Sequence, residues 1–360
     1  MSTVSSSAPR QSWIGSLFTI KPEYFHPLQG AIATAILLVP LVVLKALGHE
    51  ELWLSFSFGA LFTRQDYLAV NDVSAIRIRW SVVFVLVGTL LTAIGFTLGG
   101  AGWVPVTLAV FVSTLLSYLL SAYGRAAAGV LLNVWFLITL STTFASGKTP
   151  AEAWPIAGPQ AVAWLAGGVL WLLVALVWRG ARGELHADAA ATGGNAQAGR
   201  ISGPLIVFSV LAAVAVGLAT AIAWGFNLAN AVWMPVGALV AMKPSADASM
   251  YVAGQRVAGA LIGAVVSGLV LTFVNDPTIL VVLIVILGVL GGALHDANYA
   301  LYCACISTVV LTAMGLPHPG NLSDNWERVV WTLAGVVIAV LVTLLMETAR
   351  SRAAQRPATT

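Results

Sequence analysis

Residues 204–226 read Pro204-Leu-Ile-Val-Phe-Ser-Val-Leu-Ala-Ala-Val-Ala-Val-Gly-Leu-Ala-Thr-Ala-Ile-Ala-Trp-Gly-Phe226, with no charged side chain in the run. At 1.5 Å per residue such a segment is long enough to cross the roughly 30 Å hydrocarbon core of a bilayer as an α-helix. Similar stretches recur from residue 28 to residue 347. Hydrophobic residues make up 59% of the 360, charged residues 9%, and the mean hydropathy is +0.92. Soluble domains carry roughly 25% charged residues, so lipid is the solvent this surface requires. The expected fold class is an all-α integral membrane protein with about 12 transmembrane helices.

Spans are expected at 28–47, 51–63, 80–98, 103–122, 128–146 and 159–178. A second set follows at 204–226, 230–242, 257–274, 278–294, 298–316 and 329–347. Residues 1–27 form an N-terminal segment and 348–360 a tail. Trp13-Ile14 and Leu17-Phe18, followed by Lys21, are expected to lie in the headgroup layer. No cleavable signal is evident. Between the two sets lies 179–203, rich in Arg, Ala, Gly and acids, which reads as a flexible linker.

The net charge of +3 and pI near 9.0 do not indicate a nucleic-acid partner. The bases sit in short polar breaks between apolar runs, as topology demands. With the N-terminus in the cytoplasm, that side holds Arg10, Lys21, Arg64, Arg77, Arg79, Arg125, Arg179, Arg182, Arg200, Lys243, Arg256, Arg350, Arg352 and Arg356. The opposite side holds Lys45, Lys148 and Arg328. Both termini are therefore expected in the cytoplasm.

The two halves, 28–178 and 204–347, resemble each other. Each opens with a long apolar helix. Each follows it with a short segment bearing Trp ahead of Gly-Ala-Leu: Trp53 with Gly59-Ala60-Leu61, and Trp233 with Gly237-Ala238-Leu239. Each continues to an Arg opening the third span, Arg79 and Arg256, at an offset of about 178 residues. Six spans per copy make the repeats parallel, related by a pseudo-two-fold along the membrane normal.

The second span of each half is short for a bilayer, and carries Ser55, Ser57 and Gly59 in one copy and Pro235 and Gly237 in the other. Interrupted segments at equivalent places in two halves point to a transporter's substrate site. Arg64, Arg77, Arg79, Lys243 and Arg256 gather at the predicted cytoplasmic ends of these segments and their neighbours, and Arg offers a fork that fits a carboxylate. Trp53, Ser57, Arg64, Arg79, Trp233, Lys243, Tyr251 and Arg256 are the expected substrate-binding residues. The competing reading is that the bases obey the positive-inside rule and the aromatics anchor at the interface. His295-Asp296, at a span end, are the proton-coupling candidates. Gly259, Gly263 and Gly268 in the ninth span indicate close helix packing, or less favourably a dimer interface. Cys303 and Cys305, one residue apart in an apolar run, read as small core side chains.

The run Trp233-Met-Pro-Val-Gly-Ala-Leu-Val-Ala-Met-Lys-Pro244, then Tyr251, Gln255-Arg256-Val-Ala-Gly259 and Gly263, resembles the fusaric acid resistance (FUSC) family, which overlaps the aromatic acid exporters and is distantly akin to plant aluminium-activated malate channels. The last span, from Arg328-Val-Val-Trp-Thr332 to Gly335, is similar too. The resemblance covers about 140 residues of the second half, and the first half more loosely. It implies a bacterial inner-membrane efflux protein for organic anions, often aromatic carboxylic acids, driven by an ion gradient. Many such exporters carry a large cytoplasmic domain where this chain has only 179–203. An anion channel is the second reading. A major-facilitator carrier is weakened because Arg64-Gln-Asp-Tyr-Leu-Ala-Val-Asn-Asp lacks that family's Gly-x-x-x-Asp-Arg-x-Gly-Arg pattern. An enzyme would need grouped acids, His or a phosphate loop, and no such motif is present. No cofactor or metal is expected. The expected partners are a small organic anion and the bilayer, with a homo-oligomer left open and no nucleic acid.

Overall fold

A computed structural model describes residues 17–68, 75–123, 126–182, 201–230, 232–242, 246–274, 276–315 and 323–354. These residues form twelve α-helices and short 3-10 turns, without a strand. The helices are α1 (Pro27–Ala46), α2 (Trp53–Leu68), α3 (Ala75–Leu98), α4 (Trp103–Leu119), α5 (Ala126–Ala145) and α6 (Pro150–Arg182). They continue as α7 (Gly203–Gly225), α8 (Trp233–Ala241), α9 (Ala246–Phe273), α10 (Pro277–Leu294), α11 (Tyr299–Gly315) and α12 (Ser323–Ala354). Seven of them, α3 to α7, α9 and α12, contain stretches long and apolar enough to cross a membrane. The apolar parts of α1, α10 and α11 are shorter.

Helix ends depart from the sequence reading at several helices: α9 begins at Ala246 rather than at 257, and α12 spans Ser323–Ala354 rather than 329–347, entering the expected tail. α2 continues past residue 63 to Leu68, because Arg64-Gln-Asp breaks the apolar run but not the helix. α8 keeps only nine residues. It is preceded by Asn227 and Asn230 with φ of 51° and 54°, a left-handed conformation that Asn tolerates and that turns the chain sharply. Pro235 is admitted because it falls in the first turn, where no amide donor is needed. α6 runs on through Arg179 and Arg182, so the expected linker begins inside a helix, and 183–200 lie outside the described residues.

The chain divides into two compact units, residues 1–31 with 251–322, and residues 32–250 with 323–360. The larger unit is held together by a core of Leu61, Phe62, Phe84, Leu132, Trp135 and Trp164. The Trp135 and Trp164 rings stack with centroids 5.1 Å apart, and Phe58 lies 5.1 Å from Trp135. Trp135 Nε1 donates to Thr92 Oγ1 at 2.8 Å. Asn133 joins α5 to α4, donating to Thr114 Oγ1 at 2.7 Å and accepting from Ser113 Oγ at 2.7 Å. With no hydrophobic driving force between helices in lipid, such bonds and close backbone contact are what hold helices together.

One helix crossing occurs twice in this unit. In the first, α2 crosses α6. A Cβ at Gly59 would strike the Trp164 carbonyl, and one at Gly167 would strike the Phe56 carbonyl and the Ala60 amide. In the second, α8 crosses α12. A Cβ at Gly237 would meet the Thr332 carbonyl, and one at Gly335 the Met234 carbonyl and the Ala238 amide. Phe56, Gly59 and Ala60 each lie 178 residues before Met234, Gly237 and Ala238, and Trp164 and Gly167 each lie 168 before Thr332 and Gly335. The carbonyl of Glu51 accepts from Gln160 Nε2 at 2.9 Å and that of Ala229 from Trp331 Nε1 at 3.0 Å, with donors at non-equivalent positions 171 residues apart. Glu51 and Ala229 are again 178 apart.

The carbonyl ends of α8 are met from α4, where Tyr118 Oη donates to the Leu239 carbonyl and lies 3.5 Å from that of Met242. Both acceptors belong to residues with no exposed surface. Tyr118→Phe therefore leaves a buried carbonyl short of a donor. The expected loss is about 1–2 kcal/mol, read as a lower midpoint of thermal unfolding in detergent at unchanged expression.

The smaller unit consists of the described N-terminal stretch from Leu17 to Ala31 with most of α9, α10 and α11. Gly259 and Gly263 of α9 seat against Ala300, Cys303, Ala304 and Ser307 of α11, so this glycine pair is used within the chain. Gly30 and Gly292 meet backbone to backbone where α1 begins against α10. Asp276 caps α10, and the amides of Thr278 and Ile279 hold its carboxyl below the usual range. Leu17 is buried, 4% exposed. Its carbonyl accepts from Gln255 Nε2 at 3.3 Å and Asn298 Nδ2 at 3.1 Å. Trp13 and Ile14 lie outside the described residues.

Candidate functional site

The expected site residues fall in both units. In the larger one, Trp53 Nε1 and Ser57 Oγ both donate to the Leu37 carbonyl, the latter at 3.2 Å. Two polar groups of α2 are thus engaged in fixing α2 to α1. Trp233 begins α8 and is half-buried. Arg79 is exposed on α3. Arg64 and Arg77 lie on helices but their side chains, like all of Lys243, are outside the described residues. The short segments themselves are enclosed by protein: Ser55, Ser57 and Thr63 of α2 have no exposed surface, and Met234 to Leu239 of α8 are buried. That satisfies the requirement that interrupted helices find partners in protein.

In the smaller unit the structure brings Arg256 together with Tyr299 and Tyr302 of α11. Arg256 lies near the start of the apolar stretch of α9. One guanidinium nitrogen, Nη1, reaches Tyr299 Oη of α11 at 3.5 Å. Its Nε is buried and has no hydrogen-bond partner. Among the described residues no carboxylate forms an ion pair with it. Tyr299 packs on Tyr302 with ring centroids 5.9 Å apart, and Tyr302 meets the His295 ring edge-on at 4.8 Å. His295 Nδ1 and Asp296 Oδ1 are 2.7 Å apart, both partly exposed. Tyr251 hydroxyl lies 3.5 Å from Gln255 Nε2. Tyr299 and Tyr302, three residues apart, share a face of α11, while His295 caps the end of α10 and leads into the turn between the two helices.

Chemically this cluster is a cation with an unused donor edge, bordered by phenols and an imidazole. Leaving a guanidinium donor unsatisfied in a low-dielectric interior is costly, and an anion is the partner that removes the cost. Among the described residues no group of His, Cys, Asp and Glu is arranged to hold a metal ion.

Repeated apolar helices with enclosed polar breaks mark a multi-pass α-helical membrane protein. The model of the fusaric acid resistance protein-like family matches residues 218–342, so this part of the chain is similar to that family. The match runs from within α7 to within α12 and includes Arg256, His295, Tyr299 and Tyr302. No curated protein and no solved structure matches the chain.

Proposed function

We propose that the protein exports organic anions, aromatic carboxylates foremost, across the bacterial inner membrane at the expense of an ion gradient. The observation that carries this reading is the buried, unpartnered Nε of Arg256 inside the family-matching segment. A carboxylate accepting from Nε and from the nearby tyrosine hydroxyl gains charge-assisted bonds that the protein alone does not supply. His295 and Asp296 take the coupling proton, and Tyr302 and Tyr299 connect them to Arg256. The chain crosses the membrane twelve times as two parallel six-helix copies, with both termini in the cytoplasm. The doubled α2–α6 and α8–α12 crossing, with its common offsets of 178 and 168 residues, supports the duplication. Tyr251 belongs with the Arg256 site in this proposal. Arg64, Arg79, Lys243 and Trp233 of the larger unit remain proposed anion contacts in their own right, whereas Trp53 and Ser57 serve to fix α2 to α1.

The test is a growth panel of substituted benzoates and related acids on cells with and without the gene. Resistance to a subset of aromatic acids, with lower intracellular acid, is expected. Equal sensitivity across the panel, at confirmed membrane expression, would refute export of this class.

His295→Gln keeps much of the size and hydrogen bonding of the side chain but removes the imidazole proposed to carry the coupling proton. Export by this variant is expected to lose its dependence on an imposed pH gradient. A profile identical to that of the unaltered protein would assign the coupling elsewhere.

A further inference from the structure

The smaller unit contains a groove of about 640 Å3 that the anion site does not use. One wall is the N-terminal stretch, through Ile20, Pro22 and Phe25. The opposite walls come from α9, α10 and α11, with Val266, Leu290 and Cys305 among them. Thr308 is its one polar lining residue, and its hydroxyl is directed at the carbonyls of Ala304, 2.9 Å away, and Gly263 at 3.3 Å. No polar group is left in the walls to hold a carboxylate, and Arg256 does not line them. Its volume falls within the roughly 300–1,000 Å3 of small-ligand pockets.

The N-terminal stretch is pinned in place from both ends. Asn298, 4% exposed, donates to the carbonyls of Leu17 and Thr19, the latter at 2.9 Å. The amides of Lys21 and His26 donate to Ala297 and Ala293 at 3.1 and 3.3 Å. The groove is thus a built feature of a fixed segment. It is open on one side, where Ile20 is 48% and Phe25 39% exposed. Such apolar walls are covered by protein or by lipid. At the edge stand Lys21, Glu23 and His26, all exposed. The Lys21 ammonium lies 5.9 Å from the centre of the Tyr24 ring and, among the described residues, forms no ion pair.

We infer that this groove holds an acyl chain of a membrane phospholipid, whose phosphate is drawn to Lys21. The lipid completes the wall between the N-terminal stretch and α9 to α11. An apolar slot with a cation at its interfacial edge matches a hydrocarbon tail below a phosphodiester. The inference is independent of which anion is transported.

The two cysteines give a direct reading. Cys305 lines the groove and Cys303 does not. Using full-length protein in detergent, Cys303→Ser leaves Cys305 as the single thiol, and Cys305→Ser is the control. Stripping lipid should raise labelling of Cys305 by an apolar maleimide several-fold. Adding back phosphatidylglycerol should restore protection better than phosphatidylcholine does, and Lys21→Ala should erase that difference. Cys303 labelling should respond to neither. Val266→Trp, which fills the groove, should lower the phospholipid retained in native mass spectra while Arg256-dependent export persists. Protection by benzoate and by no lipid would assign the groove to the transported anion and overturn the inference. Labelling indifferent to lipid would overturn it as well. A protein that fails to export benzoate yet shows lipid-dependent protection contradicts only the transport reading.

Discussion

Export of an aromatic carboxylate by Arg256→Ala is expected to fall roughly 30-fold or more, in line with about 2–5 kcal/mol for removing one partner of a buried, hydrogen-bonded charge pair. The guanidinium supplies the positive charge and the unpartnered Nε donor of the site, and alanine supplies neither. Arg256→Lys is the informative companion. It keeps a cation but loses the planar fork, so it should retain partial transport with a raised KM. A purely packing role predicts another order, in which a long apolar residue such as Met replaces Arg256 without loss of transport. Tyr299→Phe removes the Nη1 contact seen at 3.5 Å and is expected to weaken binding less than either. Membrane level measured by immunoblot separates lost transport from lost protein.

The second large effect falls on the doubled crossing. Gly59→Val and Gly237→Val each place a branched side chain against a backbone carbonyl, that of Trp164 in one copy and Thr332 in the other. Backbone cannot give way as a side-chain tip can, so each is expected to cost about 3 kcal/mol or more. Both should sharply reduce the folded fraction in detergent, and to a similar degree. Gly158 of α6 has nothing within 4 Å of where its Cβ would stand. Gly158→Ala should therefore be neutral or stabilise by about 0.5–1 kcal/mol through helix propensity. Tolerance of valine at one of the paired positions would mean that the two crossings are not equivalent.

These two results bear on what the sequence made legible. Membrane class and helix positions follow from composition and run length, because burying charge in lipid is prohibitive and the pattern is long-range. Helix ends did not follow. Helical residues such as Arg64-Gln-Asp carry α2 beyond its apolar part, and the paired left-handed asparagines shorten α8. Gly59 and Gly237 stood out through their shared tripeptide, but their partners Gly167 and Gly335 did not. The offset changes from 178 to 168 between the second and sixth helices, and only contact reveals the match. Arg256 was legible as a base at the head of an apolar run. Tyr299 and Tyr302 were hidden because tyrosine near a membrane helix end ordinarily anchors it at the interface. Gly259 and Gly263 announced a close helix contact, and their occupation by α11 could not be read from spacing.

Flux through purified protein in sealed phospholipid vesicles tests the central claim most directly. Radiolabelled benzoate should cross the membrane when a pH gradient is imposed, stop when the gradient is collapsed, and stop in Arg256→Ala. Gradient-independent steady current carried by the anion, or flux untouched by loss of that guanidinium, would contradict it.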